Sequence, residues 1–186
     1  IVRGGITAAP TAQLKFASNS NVYQTEEISN SGNIEVNRET SLKRLDYVGW
    51  SAPVTNQNLL AFSPNTLTNR FYEYIPTGTT TPTAYNSVNP TTNSFATGKG
   101  YLIRAENTMP STTTSWNGKF TGTPNNGRIN PNVIYGGSVG LGYNLIGNPY
   151  PSPINIQEFI VGNTSTIDGT LHFWTNTNAA LSGTYV

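Results

Sequence analysis

The sequence predicts an all-β fold, a β-sandwich or layered antiparallel sheets with one short helix near residues 153–161. Three observations predict it. β-Branched and aromatic segments with period-two alternation recur along the chain. Clusters of Gly, Pro, Asn and Ser bound them, the residues that turns require. Among the 186 residues only one stretch carries helical spacing.

In chain order, Gly4-Gly5 and the short runs at 13–17 and 22–25, separated by Asn19-Ser20-Asn21, have the texture of β-solenoid rungs. Residues 1–30 therefore read as the end of an upstream β-solenoid or as an edge sheet, and residues 31–186 as a β-sandwich-like module. Leu14 and Phe16 point one way while Gln13, Lys15 and Ala17 point the other. Ile34, Val36 and Arg38 alternate with Asn33, Glu35 and Asn37, and Phe71, Glu73 and Ile75 with Tyr72 and Tyr74. Further strands are expected at 42–50, 101–105, 116–121, 128–135, 142–146 and 170–174. Asn117-Gly118 has the residues of a two-residue hairpin turn whose central positions need positive φ, and Asn126-Gly127 repeats the signal. Residues 77–92 form a Thr/Pro/Asn-rich surface loop. In the helical stretch, Ser152 can cap and Pro153 suits the first turn. Ile156, Phe159 and Ile160 then fall at i, i+3 and i+4, and Gly162 can end the helix.

Composition narrows the function. Apolar residues make up 35% and charged residues 10%, against typical values of about 45% and about 25%. The difference is made up by 27 Thr, 24 Asn, 15 Ser, 18 Gly and 12 Pro. With 11% aromatics the chain still builds a core, which argues against disorder. Ten Lys+Arg against nine Asp+Glu, scattered along the chain, provide no basic stripe for nucleic acid. No apolar run approaches the roughly 18 residues of a membrane span, so direct membrane insertion is not expected. With no cysteine there are no disulfides, thiolate zinc sites or cysteine nucleophiles. A low-charge Asn/Thr/Ser surface points outside the cell. The chain opens without a starter Met or signal peptide and reads as a mature or excised piece.

No catalytic set stands out. Gly136-Gly137-Ser138-Val139-Gly140 satisfies the nucleophile-elbow pattern, with Asp168 and His172 following in hydrolase order. The elbow requires a helix immediately after the serine, whereas Leu141-Gly142-Tyr143-Asn144-Leu145 is strand-like and glycine-broken, so a glycine loop is the expectation. Paired carboxylates such as Glu26 with Glu27, or Glu35 with Glu39, need a set separation across a cleft to hydrolyse a glycoside, and strand positions make most of them solvated charges. His172 lacks a second histidine for a metal site. Ca²⁺ at Asp168 and nearby carbonyls lacks the acidic spacing of a dedicated loop. No cofactor is expected.

Aromatic side chains remain, since a flat ring can stack on a sugar while amides fix its hydroxyls. Trp50 and Trp174 alternate along strands and read as core. Trp116 and Asn117, at the expected turn, and Tyr150 in the proline-rich stretch are the candidate ligand-binding residues, with glycans or surface polymers as partners.

An ordered series of motifs runs through residues 30–186. It comprises Asp46-Tyr47-Val48-Gly49-Trp50-Ser51-Ala52-Pro53-Val54, Phe62-Ser63-Pro64-Asn65-Thr66, Arg70-Phe71-Tyr72, Gly98-Lys99-Gly100-Tyr101-Leu102-Ile103-Arg104 and Phe120-Thr121-Gly122-Thr123-Pro124-Asn125-Asn126-Gly127. Tyr143-Asn144-Leu145-Ile146-Gly147-Asn148-Pro149-Tyr150-Pro151-Ser152-Pro153-Ile154 and Gly169-Thr170-Leu171-His172-Phe173-Trp174 complete it. The series resembles the β-rich region of large secreted surface proteins of flavobacteria and other Bacteroidota, found before a type IX secretion sorting domain. The resemblance implies export as cargo of that machinery, residence at the cell surface or in the medium, a solenoid-like upstream part, and further strands beyond Val186. It carries no catalytic residue. A non-catalytic module in adhesion or structure is the expected role, with a carbohydrate-binding module of an exported enzyme as the alternative and a hydrolase third.

Overall fold

The computed structural model describes residues 1–76, 85–135, 142–176 and 183–185. The fold is all-β and layered. β1 (Lys15–Phe16), β2 (Ile34–Leu42) and β7 (Thr114–Gly122) form one sheet in the order β1-β2-β7, with β1 parallel and β7 antiparallel to β2. β3 (Tyr47–Trp50), β4 (Phe71–Tyr74), β5 (Tyr85–Ser87) and β6 (Tyr101–Arg104) form the second, antiparallel and ordered β3-β6-β4-β5. β8 (Trp174–Asn176) and β9 (Gly183–Tyr185) make a separate antiparallel pair.

The core lies where side chains of the two larger sheets meet. Ile34, Val36 and Phe120 from the first join Phe71, Tyr101 and Ile103 from the second. The short helix α1 (Leu59–Phe62) adds Leu59 and Phe62, with the Asn58 side chain accepting from the Ala61 N–H at its start. Phe62 is the hub: it stacks on Phe120 at 4.4 Å between centroids and meets Trp50, Phe95 and Trp116 edge-on at 5.1, 5.3 and 5.5 Å. Such pairs add to the burial of their area.

Asn117-Gly118 does not form a hairpin. Both residues lie inside the unbroken nine-residue β7, opposite Glu39 and Arg38. The inward row of this strand reads Trp116, Gly118, Phe120, Gly122. A Cβ at Gly118 would lie 2.9 Å from Phe62 Cζ and 3.0 Å from Trp50 Cη2, so here glycine provides space rather than positive φ. At Asn126-Gly127 only the glycine has positive φ.

Other expectations change. Leu59–Phe62 forms a helix beside the single one expected, the strand expected at 170–174 starts only at Trp174, and the expected loop 77–92, of which 77–84 lie outside the described residues, contains β5. The strand expected at 42–50 is broken between β2 and β3, where Leu45 takes φ 82° and Asp46 Oδ2 accepts from the Lys43 N–H. Residues 128–135 form no strand, and from 142–146 only Ile146 makes a bridge, to Lys99. The second helix, α2 (Ile156–Val161), starts on Asn155, whose side chain accepts from the N–H groups of Gln157 and Glu158, so neither Ser152 nor Pro153 belongs to its first turn. Gly162 ends it as expected.

The N-terminal segment makes two stacked passes. Val2 pairs parallel with Gln24, Thr7 with Ser31, and β1 with β2. Along the first pass Val2, Gly4, Ile6 and Ala8 are turned inward and Ile1, Arg3, Gly5 and Thr7 outward. Between the passes Gln24 and Asn30 exchange reciprocal amide bonds of 2.9 Å. Asn30 Oδ1 also accepts from the Ile6 N–H, its Nδ2 donates to the Pro124 carbonyl, and Gln24 Nε2 donates to the Gly4 carbonyl. These two amides tie both passes to each other and to the end of β7.

Candidate functional site

A groove of about 330 Å³ opens where the second pass meets the sandwich. Its walls are residues 22–27, 125–127 and 150–153. Proline shapes one wall: with no N–H, Pro149 and Pro151 offer only carbonyls and hold the chain extended. The buried Asn125 side chain donates to the Pro149 carbonyl at 2.8 Å. The Pro151 carbonyl accepts from the Val22 N–H at 3.0 Å and from Arg38 Nη2 at 3.1 Å. Asn126 Nδ2 crosses to the Glu26 and Ile28 carbonyls at 2.7 and 2.9 Å, and the Tyr150 hydroxyl donates to the Gly127 carbonyl at 2.7 Å. The frame of the groove is thus fixed before any ligand arrives, which lowers the ordering cost of binding.

The exposed residues around this frame are Tyr23, Thr25, Glu26, Glu27 and Pro153. The charged side chains that line the groove are the carboxylates of Glu26 and Glu27. Burial, and then the charge of Glu27, push the Tyr150 phenol above its ordinary value. A raised phenol contributes stability that is complete below the ordinary value of 10.0 and is lost as pH rises through the value in the folded chain. Tyr150→Phe loses the bond to the Gly127 carbonyl and is expected to cost about 1 kcal/mol near neutrality. It should also lose stability less steeply than wild type between about pH 9 and about pH 11, as read by urea unfolding.

Of the three candidate residues read from the sequence, Tyr150 lines the groove. Trp116 and Asn117 do not. Trp116 packs edge-on against Trp50 and Phe62 and donates its indole N–H to Glu106 Oε2 at 3.3 Å. Asn117 donates across the sheet to Asn37 Oδ1 at 2.6 Å. Ser138 lies outside the described residues. Asp168 Oδ1 accepts from the Thr170 N–H, and the His172 ring lies edge-on to Tyr143 at 5.5 Å. Among the described residues no three of His, Cys, Asp and Glu come together to hold a metal, and no helix is long and apolar enough to cross a membrane. Sequence reading weighed Glu26 and Glu27 only as a hydrolytic pair and passed over Tyr23. The groove assembles from residues far apart in the chain, and Glu26-Glu27 beside a tyrosine was the one local signal for it.

Fold and groove together define an all-β layered module with a polar cleft. A family model for a domain of unknown function, DUF8693, matches residues 1–185, and the chain belongs to that family. No curated protein and no solved structure matches it.

Proposed function

We propose that this chain is a non-catalytic binding module that holds a polyhydroxylated ligand, a saccharide, in the groove of Tyr23, Glu26, Glu27 and Tyr150. The observation that carries this reading is a pre-tied cleft whose exposed lining includes a tyrosine ring and two carboxylates, groups that suit a CH-rich sugar face and sugar hydroxyls. The amide-rich, low-charge composition and the motif series support placing it in an exported surface protein of the Bacteroidota type, where glycan binding serves adhesion.

A glycan array probed with the whole chain, with and without calcium, tests the reading. Binding to a defined sugar class is expected, and Tyr23→Ala should weaken it about tenfold through loss of stacking. An empty array under both conditions would sink it.

The parallel passes favour a structural role as a second reading. Ser31 uses both its N–H and its C=O on the first pass, at Ile6 and Ala8. In a parallel ladder its partner Thr7 then turns its own backbone groups to the opposite edge, where a further parallel strand would pair.

A further inference from the structure

The four-stranded sheet has an outer face with its own chemistry. Directly paired residues share a face, so Tyr47 stands beside Arg104, Leu102 between Gly49 and Tyr72, and Tyr74 beside Tyr85. Arg70, at the end of the short 3₁₀ turn Thr68–Arg70, reaches over this face and donates from Nη1 to the Tyr72 hydroxyl at 3.2 Å. The rings of Tyr47 and Tyr72 lie 5.9 Å apart. Among the described residues no acidic side chain occupies the face: Glu73 points the other way and pairs with Lys99.

Arg104 is 8% exposed, and its Nε is buried without a hydrogen-bond partner, as is Nε of Arg70. The ion pairs among the described residues, Lys15–Glu35 and Lys99–Glu73, involve neither arginine. Asp46, next to Tyr47 in the chain, uses Oδ2 on the Lys43 N–H; its Oδ1 is buried without a partner, yet forms no ion pair with either arginine. A guanidinium does not shed its proton in a protein, so burial leaves a fixed charge whose desolvation calls for a counter-charge. Its planar fork of donors matches a carboxylate or sulfate.

The Tyr72 hydroxyl itself donates to the Asn69 carbonyl at 3.2 Å. We infer that the outer face of this sheet binds an oxyanion, a carboxylate or a sulfate, held by Arg104 and Arg70 with the hydroxyl of Tyr47. The site is separate in chemistry from the groove: arginines stand on this face, whereas the charged residues that line the groove are Glu26 and Glu27. A ligand carrying its oxyanion on a sugar ring also has the Tyr47 and Tyr72 rings to lie against.

The test titrates the whole chain with sodium sulfate, sodium galacturonate, neutral galactose, and sodium chloride at matched ionic strength, following the side-chain Nε–H resonances of its six arginines. The expected result is saturable movement of the Arg104 and Arg70 signals with sulfate, galacturonate or both, and none with galactose. Response to both anions identifies a general oxyanion site. Sulfate alone identifies an inorganic ion or sulfate ester, and galacturonate alone an acidic sugar. Arg104→Gln should weaken binding about tenfold or more. If that variant does not fold, Arg70→Gln, at a partly exposed position, is expected to weaken it by a similar factor. Movement no greater than with chloride, or undiminished binding in the folded arginine variant, overturns the inference. Neither outcome depends on Tyr23 or Glu27, so this site and the groove stand or fall separately.

Discussion

Gly118→Val is expected to cost about 3 kcal/mol or more of folding stability, while Asn117→Ala beside it costs less than about 1 kcal/mol. The asymmetry follows from the strand. Position 118 faces the core, and the first carbon of any side chain there would lie 2.9 Å from Phe62 Cζ and 3.0 Å from Trp50 Cη2. Those rings cannot retreat freely, because Phe62 is stacked on Phe120 and wedged against Phe95. Valine adds two further methyl groups at the same point, and overpacking a close-packed interior forces side chains off their rotamers or moves the backbone. Asn117 faces outward and loses a single exposed amide contact to Asn37. Urea unfolding of the two variants checks the pair. A hairpin at this position would make both substitutions costly, because both turn residues would need positive φ, and equal losses would therefore contradict the strand.

Asn30→Ala is expected to cost about 2 to 4 kcal/mol and to strip protection from the Ile6 amide. The Asn30 side chain makes four bonds: it accepts from the Ile6 N–H and Gln24 Nε2 and donates to Gln24 Oε1 and the Pro124 carbonyl. Removing it leaves those partners unpaired in a half-buried seam, and stranded donors and acceptors cost more than the bond itself is worth. Gly32, two residues on, cannot compensate by repacking. It sits at φ 76° with Ala8 O only 1.9 Å from where a Cβ would be, so the passes are already at closest approach. Asn30→Asp keeps the acceptor and loses both donors, and should fall between wild type and Ala. Hydrogen exchange at Ile6 that matches wild type would show that the amide does not hold the passes together.

Much of the architecture was legible. Period-two alternation marked Ile34 to Arg38, Phe71 to Ile75 and the Tyr101 strand, because burial on one face of a sheet imprints itself directly on the chain. The misreadings have physical sources. Glycine serves two ends, positive φ and small size, and Asn117-Gly118 carries the residues of the first while performing the second. The break before β3 was hidden because a leucine, Leu45, takes the left-handed conformation that glycine or asparagine usually signals. Strands were expected at 128–135 and 142–146 from composition alone, but a strand exists only where a neighbour pairs with it. Trp116 looked exposed only because a turn was expected beside it. Tyr150 was singled out for its ring, yet its hydroxyl is bound to the frame at Gly127, and the facing wall of the groove comes from residues 22–27.

The placement of the tryptophans has a consequence for assay. Trp50 and Trp116 meet edge to face at 5.5 Å within the sandwich, Trp174 donates to the Tyr47 carbonyl, and residues 1–36 contain none. Indole fluorescence and the optical coupling of the Trp50–Trp116 pair therefore report on the sandwich alone. A preparation in which residues 22–27 of the second pass had peeled away, taking one wall of the groove with them, would look native by both signals. Tyrosine emission, which includes Tyr23, is the signal that follows the groove.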